Sequence, residues 1–370
     1  MAEPLKNSFG PDVPGRLADM IGGIEPEFDK AGFIEQCLEN YESLELTGRA
    51  RHIAAALAVH LPSDRLRALE IIVGSLGPEI EEAELTGMGG FVYLPFVFFV
   101  ADHGIEHFEE SMTAQYELTK RFTAEFSIRA FLDRYPDATL ARLREWAVDP
   151  DVHVRRLVSE GSRPRLPWAP RLRAFQADPQ PVIELLELLK DDPEEYVRRS
   201  VANNLNDIAK DHPDVVVEIA RRWWDGASSD RRRLIRHGLR SLIKQGHPDA
   251  LDVLGYGADS PVRVTAVGVT PEVVAIGGSV RVEIDLENPS PAEAGALVDV
   301  IVHFVKANGS TSPKVFKGAE VSLSPGERTT VSKSVSVRQH STRTHHPGRH
   351  EVEVQLNGRV VPGAGFDLTP

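Results

Sequence analysis

The sequence predicts a HEAT-like α-solenoid followed by an all-β immunoglobulin-like sandwich. Three observations predict it. Up to about Tyr256, apolar residues recur at three- and four-residue spacing. Within that part a ten-residue stretch returns at an offset of 43 residues. From Val262 onward, Val-rich runs alternate apolar with polar. The expected domains are residues 1–257 and 261–370, joined by a linker at Gly255 to Ser260.

The helical part is read from its stripes and its prolines. Ile53, Ala56, Leu57 and His60 share one helical face, as do Val182, Leu185, Leu186 and Leu189. Pro181, Pro213 and Pro248 each stand near the opening of a helical pattern, where a missing N–H costs nothing. The repeat runs from Asp149 to Val158 and returns from Asp192 to Val201, with a weaker echo at Leu234 to Leu239. A period in the forties with two helices per unit indicates HEAT-like stacking, because one helix pair cannot bury its own apolar stripe. Each Asp-Pro is expected to open a helix, Asp capping it and Pro in the first turn.

In the C-terminal part the expected strands include Ser279 to Leu286, Ala296 to Val305, Thr329 to Val337 and His350 to Leu356. Turn pairs such as Gly277-Gly278, Asn308-Gly309 and Pro325-Gly326 separate them. About seven short strands in this length predict an antiparallel sandwich.

Composition excludes several classes. The single cysteine, Cys37, excludes a disulfide framework and a cysteine zinc site. No apolar run is long enough to span a bilayer, and the first residues lack the apolar core of a signal peptide. A soluble cytoplasmic protein is expected. The net charge of −13 argues against a nucleic-acid partner, but its distribution does not. Residues 1–152 hold 13 basic and 27 acidic residues, whereas residues 153–244 hold 18 and 14.

The basic block contains the candidate site. The doublets Arg155-Arg156 and Arg198-Arg199 occupy equivalent repeat positions, so the solenoid projects them onto one face. For a single doublet, pairing with acids of the adjacent repeat accounts for the arginines as well as a phosphate backbone does, but their recurrence at equivalent positions favours the phosphate backbone. The segment Ser159 to Arg173 interrupts the repeat with three prolines, four arginines that include Arg163 and Arg165, and Trp168. Trp168 could stack on a base or face a cation, or it could cap the core between repeats. In the helix Val201 to Lys210, Asn203 and Asp207 share a face. Hydrogen bonding between repeats is the alternative reading of its asparagines.

Three stretches resemble the AlkC/AlkD-type HEAT-repeat DNA glycosylases, the AlkC branch in particular. They are Glu3 to Gly10, Val154 to Trp168 with its Ser-Glu-Gly and Leu-Pro-Trp motifs, and Val197 to Asp207 with Asn-Asn-Leu-Asn-Asp. Some members of that branch also carry a C-terminal immunoglobulin-like domain. The resemblance implies hydrolysis of the N-glycosidic bond of cationic bases, N3-methyladenine and N3-methylcytosine, in double-stranded DNA, by a monomer without cofactor or metal. It implies a site made of Asp207, Glu160, Glu125 and Trp168. Asp207 is expected beside the sugar and water, Glu160 and Glu125 beside the base or water, and Trp168 against the lesion.

Arg155, Arg156, Arg163, Arg165, Arg198 and Arg199, with Asn203, are expected to meet DNA and offset the carboxylates. The acidic N-terminal region is expected to face away from it. In the β-domain, Arg338, His340, Arg343, His345, His346 and Arg349 lie in a run without acids that is expected to grip the duplex. Its histidines lack a carboxylate or cysteine companion, which disfavours a metal site. The competing function is a non-catalytic HEAT scaffold that binds damaged DNA or protein.

Overall fold

The computed structural model describes residues 5–80, 89–257, 259–339 and 343–370. Among the described residues, sixteen α-helices precede eight strands. The helices are α1 (Val13–Gly22), α2 (Lys30–Leu38), α3 (Leu46–His60), α4 (Arg65–Gly74), α5 (Leu94–His103), α6 (Phe108–Thr119), α7 (Ile128–Arg134) and α8 (Pro136–Trp146). They continue as α9 (Val152–Gly161), α10 (Arg173–Ala177), α11 (Gln180–Leu189), α12 (Glu195–Ile208), α13 (Pro213–Trp224), α14 (Ser229–Gly238), α15 (Arg240–Gln245) and α16 (Pro248–Val253). Two compact units result. One is Met1–Asp211 with Ser228–Gly238; the other is His212–Ala227 with Leu239–Pro370.

In the first unit the solenoid is built as its stripes require. α9 buries Val154, Leu157 and Val158, α11 buries Val182, Leu185, Leu186 and Leu189, and α12 buries Val197, Val201, Leu205 and Ile208. α9 packs on α12 and α12 on α14, so one helix of each repeat forms a continuous layer. The apolar run that includes α5 is buried almost all round, which explains its composition without a membrane. Among the described residues no helix is long and apolar enough to cross one.

The Asp-Pro turns differ in detail from expectation. Pro150 lies outside α9, and the cap is Asp151, whose carboxylate accepts from His153 N (2.8 Å) and Val154 N (3.1 Å). Asp149 and Asp192 instead tighten the turn before each helix, accepting from Asp151 N (2.8 Å) and Glu194 N (2.9 Å). The first arginine of each doublet closes that turn. Arg155 Nη1 donates to the carbonyls of Asp149 and Pro150 (both 3.0 Å), and Arg198 Nη1 to those of Asp192 (2.5 Å) and Pro193 (2.7 Å). The same two side chains reach the next repeat. Arg155 forks onto Asp192 (2.6 and 3.1 Å), and Arg198 meets Asp230 at 3.1 Å. Both were expected at phosphates; here they fasten one repeat to the next.

In the second unit, the strands are β1 (Arg263–Thr270), β2 (Val273–Ala275), β3 (Ser279–Glu287), β4 (Ala294–Val305), β5 (Thr311–Leu323), β6 (Arg328–Ser336), β7 (Gly348–Leu356) and β8 (Arg359–Thr369). They form two sheets, β1-β3-β6 and β2-β8-β7-β4-β5. Pairing is antiparallel except for β2, which runs parallel to β8. Strict alternation in β3 turns Val280, Val282, Ile284 and Leu286 inward, into a core shared with Val298, Val300, Val302, Val352 and Val354. α13, α15 and α16 group with this sandwich. Gln355 Nε2 donates to the Ile243 carbonyl (3.3 Å). Gly246 and Gly358, both at positive φ, meet backbone to backbone: a Cβ on Gly246 would stand 2.9 Å from the Gly358 carbonyl oxygen.

The Arg155–Asp192 pair is nearly closed to solvent, with the Asp192 side chain 3% exposed. Arg155→Ala is therefore expected to destabilise the fold by about 3 kcal/mol, because it strands a buried carboxylate. Equilibrium denaturation measures this, and an unchanged midpoint would show that the fork does not hold the repeats.

Candidate active site

Three carboxylates gather in the first unit from three different elements. Glu125 lies in the turn before α7, while Glu160 and Asp207 each occupy the penultimate position of a helix, α9 and α12. A carboxylate at a helix C-terminus opposes the helix dipole, and in both helices a cation three residues on answers it. Arg163 Nη1 donates to Glu160 Oε1 (2.6 Å), and Lys210 Nζ to Asp207 Oδ1 (2.7 Å).

The charges then alternate along one line. Arg156 Nη1 donates to Glu125 Oε2 at 2.6 Å, and its Nη2 lies 3.6 Å from Glu160 Oε1. Arg163 spans the next gap, its Nε donating to Asp207 Oδ2 at 2.8 Å. The order Glu125, Arg156, Glu160, Arg163, Asp207, Lys210 is neutral in sum. Burial disfavours the ionised form of Glu160, but Arg156 and Arg163 outweigh it and hold its carboxyl below the ordinary range. Burial likewise opposes charge on Arg156, and Glu125 and Glu160 outweigh it, raising the guanidinium above its usual value.

Hydroxyls complete the coordination. Ser200 Oγ donates to Glu160 Oε2 (2.6 Å) and is itself held by Ser159 Oγ (2.7 Å). Thr123 Oγ1 donates to Glu125 Oε2 at 3.0 Å. Sequence reasoning missed Ser159, Ser200 and Thr123; the two serines carried a signal, as polar residues on otherwise apolar helical faces. Gly161, in the Ser-Glu-Gly motif, is a packing requirement: a Cβ there would stand 2.5 Å from Ile128 Cγ2.

Of the three acids, Glu125 opens onto a cleft of about 490 Å³, lined also by Phe91, Tyr93, Phe126, Arg156 and Trp168. Glu160 and Asp207 lie behind it, and Asp207 is 2% exposed. Trp168 is 66% exposed and so is not a core cap. Its backbone is left-handed, with φ +64°. The N-terminal region does not stand apart from the site, since Arg16, Met20 and Pro78 line the same cleft. Among the described residues, the charged side chains that residues 1–152 bring to this wall are Arg16, Arg121 and Glu125.

Residues 263–370 match the family model described as "Uncharacterised protein YhaZ, C-terminal Ig-like domain". The "Uncharacterized protein YhaZ" of Bacillus subtilis (strain 168) is 33% identical over 365 residues, which cover 98% of this chain and 99% of that protein. The solved structure of the Pseudomonas fluorescens alkylpurine DNA glycosylase AlkC, bound to DNA containing an abasic site analog, aligns over all of both chains at 36% identity and TM-score 0.90. The chain belongs to the AlkC branch of the HEAT-repeat DNA glycosylases. In this AlkC-branch chain the four residues expected to do chemistry fall together: Glu125, Glu160 and Asp207 along the ion-pair line, Trp168 on the cleft beside Glu125.

The expected DNA contacts divide. Arg156 and Arg163 sit between the acids, and Arg165 forks onto Asp211 (2.9 and 2.5 Å). Arg199 lines a small hollow with Arg233 and His237. Asn203 Oδ1 lies 3.0 Å from His237 Nε2, and Asn204 Nδ2 donates to the Ser159 carbonyl at 2.8 Å, so these asparagines do tie neighbouring helices together. In the sandwich, Arg338 is exposed and Arg343 lies over the Phe304 ring at 4.6 Å. Arg349 pairs with Glu351 and Asp367, and His346 is half-buried. His345, expected at the DNA surface, is buried with its ring against Phe304, because its backbone is held by Gln339. His340 lies outside the described residues. Among the described residues no three His, Cys, Asp or Glu side chains converge as a metal site.

The Glu160 ion pairs carry a pH signature. A carboxyl depressed on folding contributes stability that is complete above its unfolded pKa of about 4.3 and is lost as pH falls through the lower folded value. Glu160→Gln is therefore expected to be less stable than the parent at pH 7, with a gap that narrows below about pH 4. Melting temperatures of both proteins across that range test it; a gap independent of pH would contradict it.

Proposed function

We propose that the chain is a monofunctional DNA glycosylase that hydrolyses the N-glycosidic bond of cationic N3-alkylated bases, N3-methyladenine and N3-methylcytosine, in double-stranded DNA. Residues 1–257 would carry the chemistry, and residues 261–370 would grip the duplex through Arg338 and Arg343. The protein would act as a monomer on bacterial chromosomal DNA, without metal or cofactor. The observation that carries this reading is the convergence of Glu125, Glu160 and Asp207 beside an aromatic cleft, in a chain of the AlkC branch.

The chemistry suits such a site. An N3-alkylated base is positively charged. When the C1′–N bond breaks, the electron pair neutralises the base and the positive charge moves to the sugar. Water then adds to C1′ and loses a proton. Little protonation of the leaving group is needed, so fixed negative charge near the sugar lowers the barrier. Glu125 is the carboxylate that faces the cleft, and Trp168 offers a π-face to the cation. The acids already hold guanidinium groups at hydrogen-bond distance, and a cationic base is a ligand of the same kind. Exchange of an arginine for the lesion would bring Glu160 or Asp207 into play. Asp207 is assigned to the sugar and its water, with Lys210, the more exposed partner, turning towards phosphate.

Incubation with methylated duplex DNA should release free N3-methyl bases, at a rate unaffected by a chelator. Glu125→Gln and Asp207→Asn are each expected to slow release by about 100-fold. Chromatography of the released bases reads the result. Tight binding of methylated DNA with no release by the parent protein would favour the scaffold reading and overturn this one.

A further inference from the structure

Arg129 is the second residue of α7 and is 4% exposed. Its guanidinium donates to backbone carbonyls. Nη1 reaches Gly161 (3.1 Å) and Arg163 (2.7 Å), while Nε (3.1 Å) and Nη2 (2.5 Å) both reach Pro170. Among the described residues no carboxylate lies within ion-pair distance of it; Asp133 acts at longer range. Burial lowers its pKa to about 10, so it remains a cation at neutral pH. A charge removed from water and answered by carbonyls rather than by an acid is an expensive arrangement, and it calls for a reason beyond packing.

The three carbonyls supply that reason. Gly161 and Arg163 stand where α9 ends, and Pro170 stands where the arginine-rich loop returns. Arg129 therefore pins the two ends of the loop to one point. At one end stands Arg163, whose side chain bridges Glu160 and Asp207, and between the ends lies Trp168, exposed on the cleft in left-handed backbone. A bulky residue adopts that conformation only where its surroundings enforce it. The loop's own bonds are few: Leu172 N to the Pro164 carbonyl (3.2 Å), Ala169 N to that of Leu166 (3.4 Å), and the Arg165–Asp211 fork.

We propose that Arg129 is a positioning residue for the reaction: by tying the Gly161, Arg163 and Pro170 carbonyls together it sets the span of the loop and holds Trp168 against the cleft. The proposal rests on the reading that Trp168 meets the lesion. Arg129 acts through the loop and touches no reacting atom.

The test compares four full-length proteins, the parent, Trp168→Ala, Arg129→Lys and the double variant, in single-turnover release of N3-methyladenine from methylated duplex DNA. Lysine keeps the charge but gathers its donors on one nitrogen, so it does not reproduce the four bonds made from three nitrogens of the fork, and unlike methionine it does not leave the carbonyls without a cation. Arg129→Lys is expected to slow release by at least about tenfold, in keeping with the cost of a small misplacement. The double variant is expected to be no slower than Trp168→Ala. Hydrogen exchange should show faster opening of amides 164–172 in Arg129→Lys, with the amides of α9 unchanged.

A parent rate in Arg129→Lys alongside a slow Trp168→Ala would overturn the clamp and spare the tryptophan's role. Losses that multiply in the double variant, or exchange that rises equally in α9, would reduce Arg129 to general stability. A parent rate in Trp168→Ala would sink the lesion-facing role of the tryptophan, and the clamp's part in the reaction with it.

Discussion

Removing a carboxylate from water is costly unless a cation accompanies it, and this chain buries or half-buries three in one place. The ion-pair line of the candidate site follows from that constraint. Arg156 and Arg163 each serve two acids, Lys210 closes one end of the line, and the hydroxyls of Thr123 and Ser200 take up remaining lone pairs. Arg156 and Arg163 hold the buried Glu160 carboxyl below its ordinary range, and the three formal negative charges of the line are matched by three positive ones. A polyanion can approach a neutral line where it would be repelled by three bare carboxylates.

The same constraint divides labour within each arginine doublet. In both repeats the first arginine closes an Asp-Pro turn and grips an aspartate of the next repeat. Its partners are architectural. The second, Arg156 or Arg199, is turned elsewhere: Arg156 to the acids, Arg199 to a hollow beside α14. A solenoid assembled in this way can change the chemistry of its surface at one position of the doublet while the neighbouring position keeps the repeats in register.

Much of the fold was legible because it is periodic. The stripes of α3 and α11, the proline starts of α11, α13 and α16, and the alternation of β3 are local signals, and the structure places them as read. β5 and β2 were harder, since a partly exposed edge strand and a three-residue parallel strand carry little alternation. The grouping of Glu125 with Glu160 and Asp207 was readable only through family resemblance, because no spacing in the chain links residue 125 to the repeat. Arg129 gave no signal at all: its partners are carbonyls, and a carbonyl has no letter in a sequence. The pairing of Arg155 and Arg198 was the less favoured of two readings, and their partners in the next repeat decided where they point.

The contact of Gly246 with Gly358 has a mechanical consequence. Two chain segments more than a hundred residues apart touch with no side chain between them, and Leu251 closes over the same spot. The last short helices and the sandwich thus pack as one compact unit. A cut between residues 257 and 261 would therefore sever the chain inside one compact unit and lay bare, on each half, the glycine backbone that now meets its counterpart.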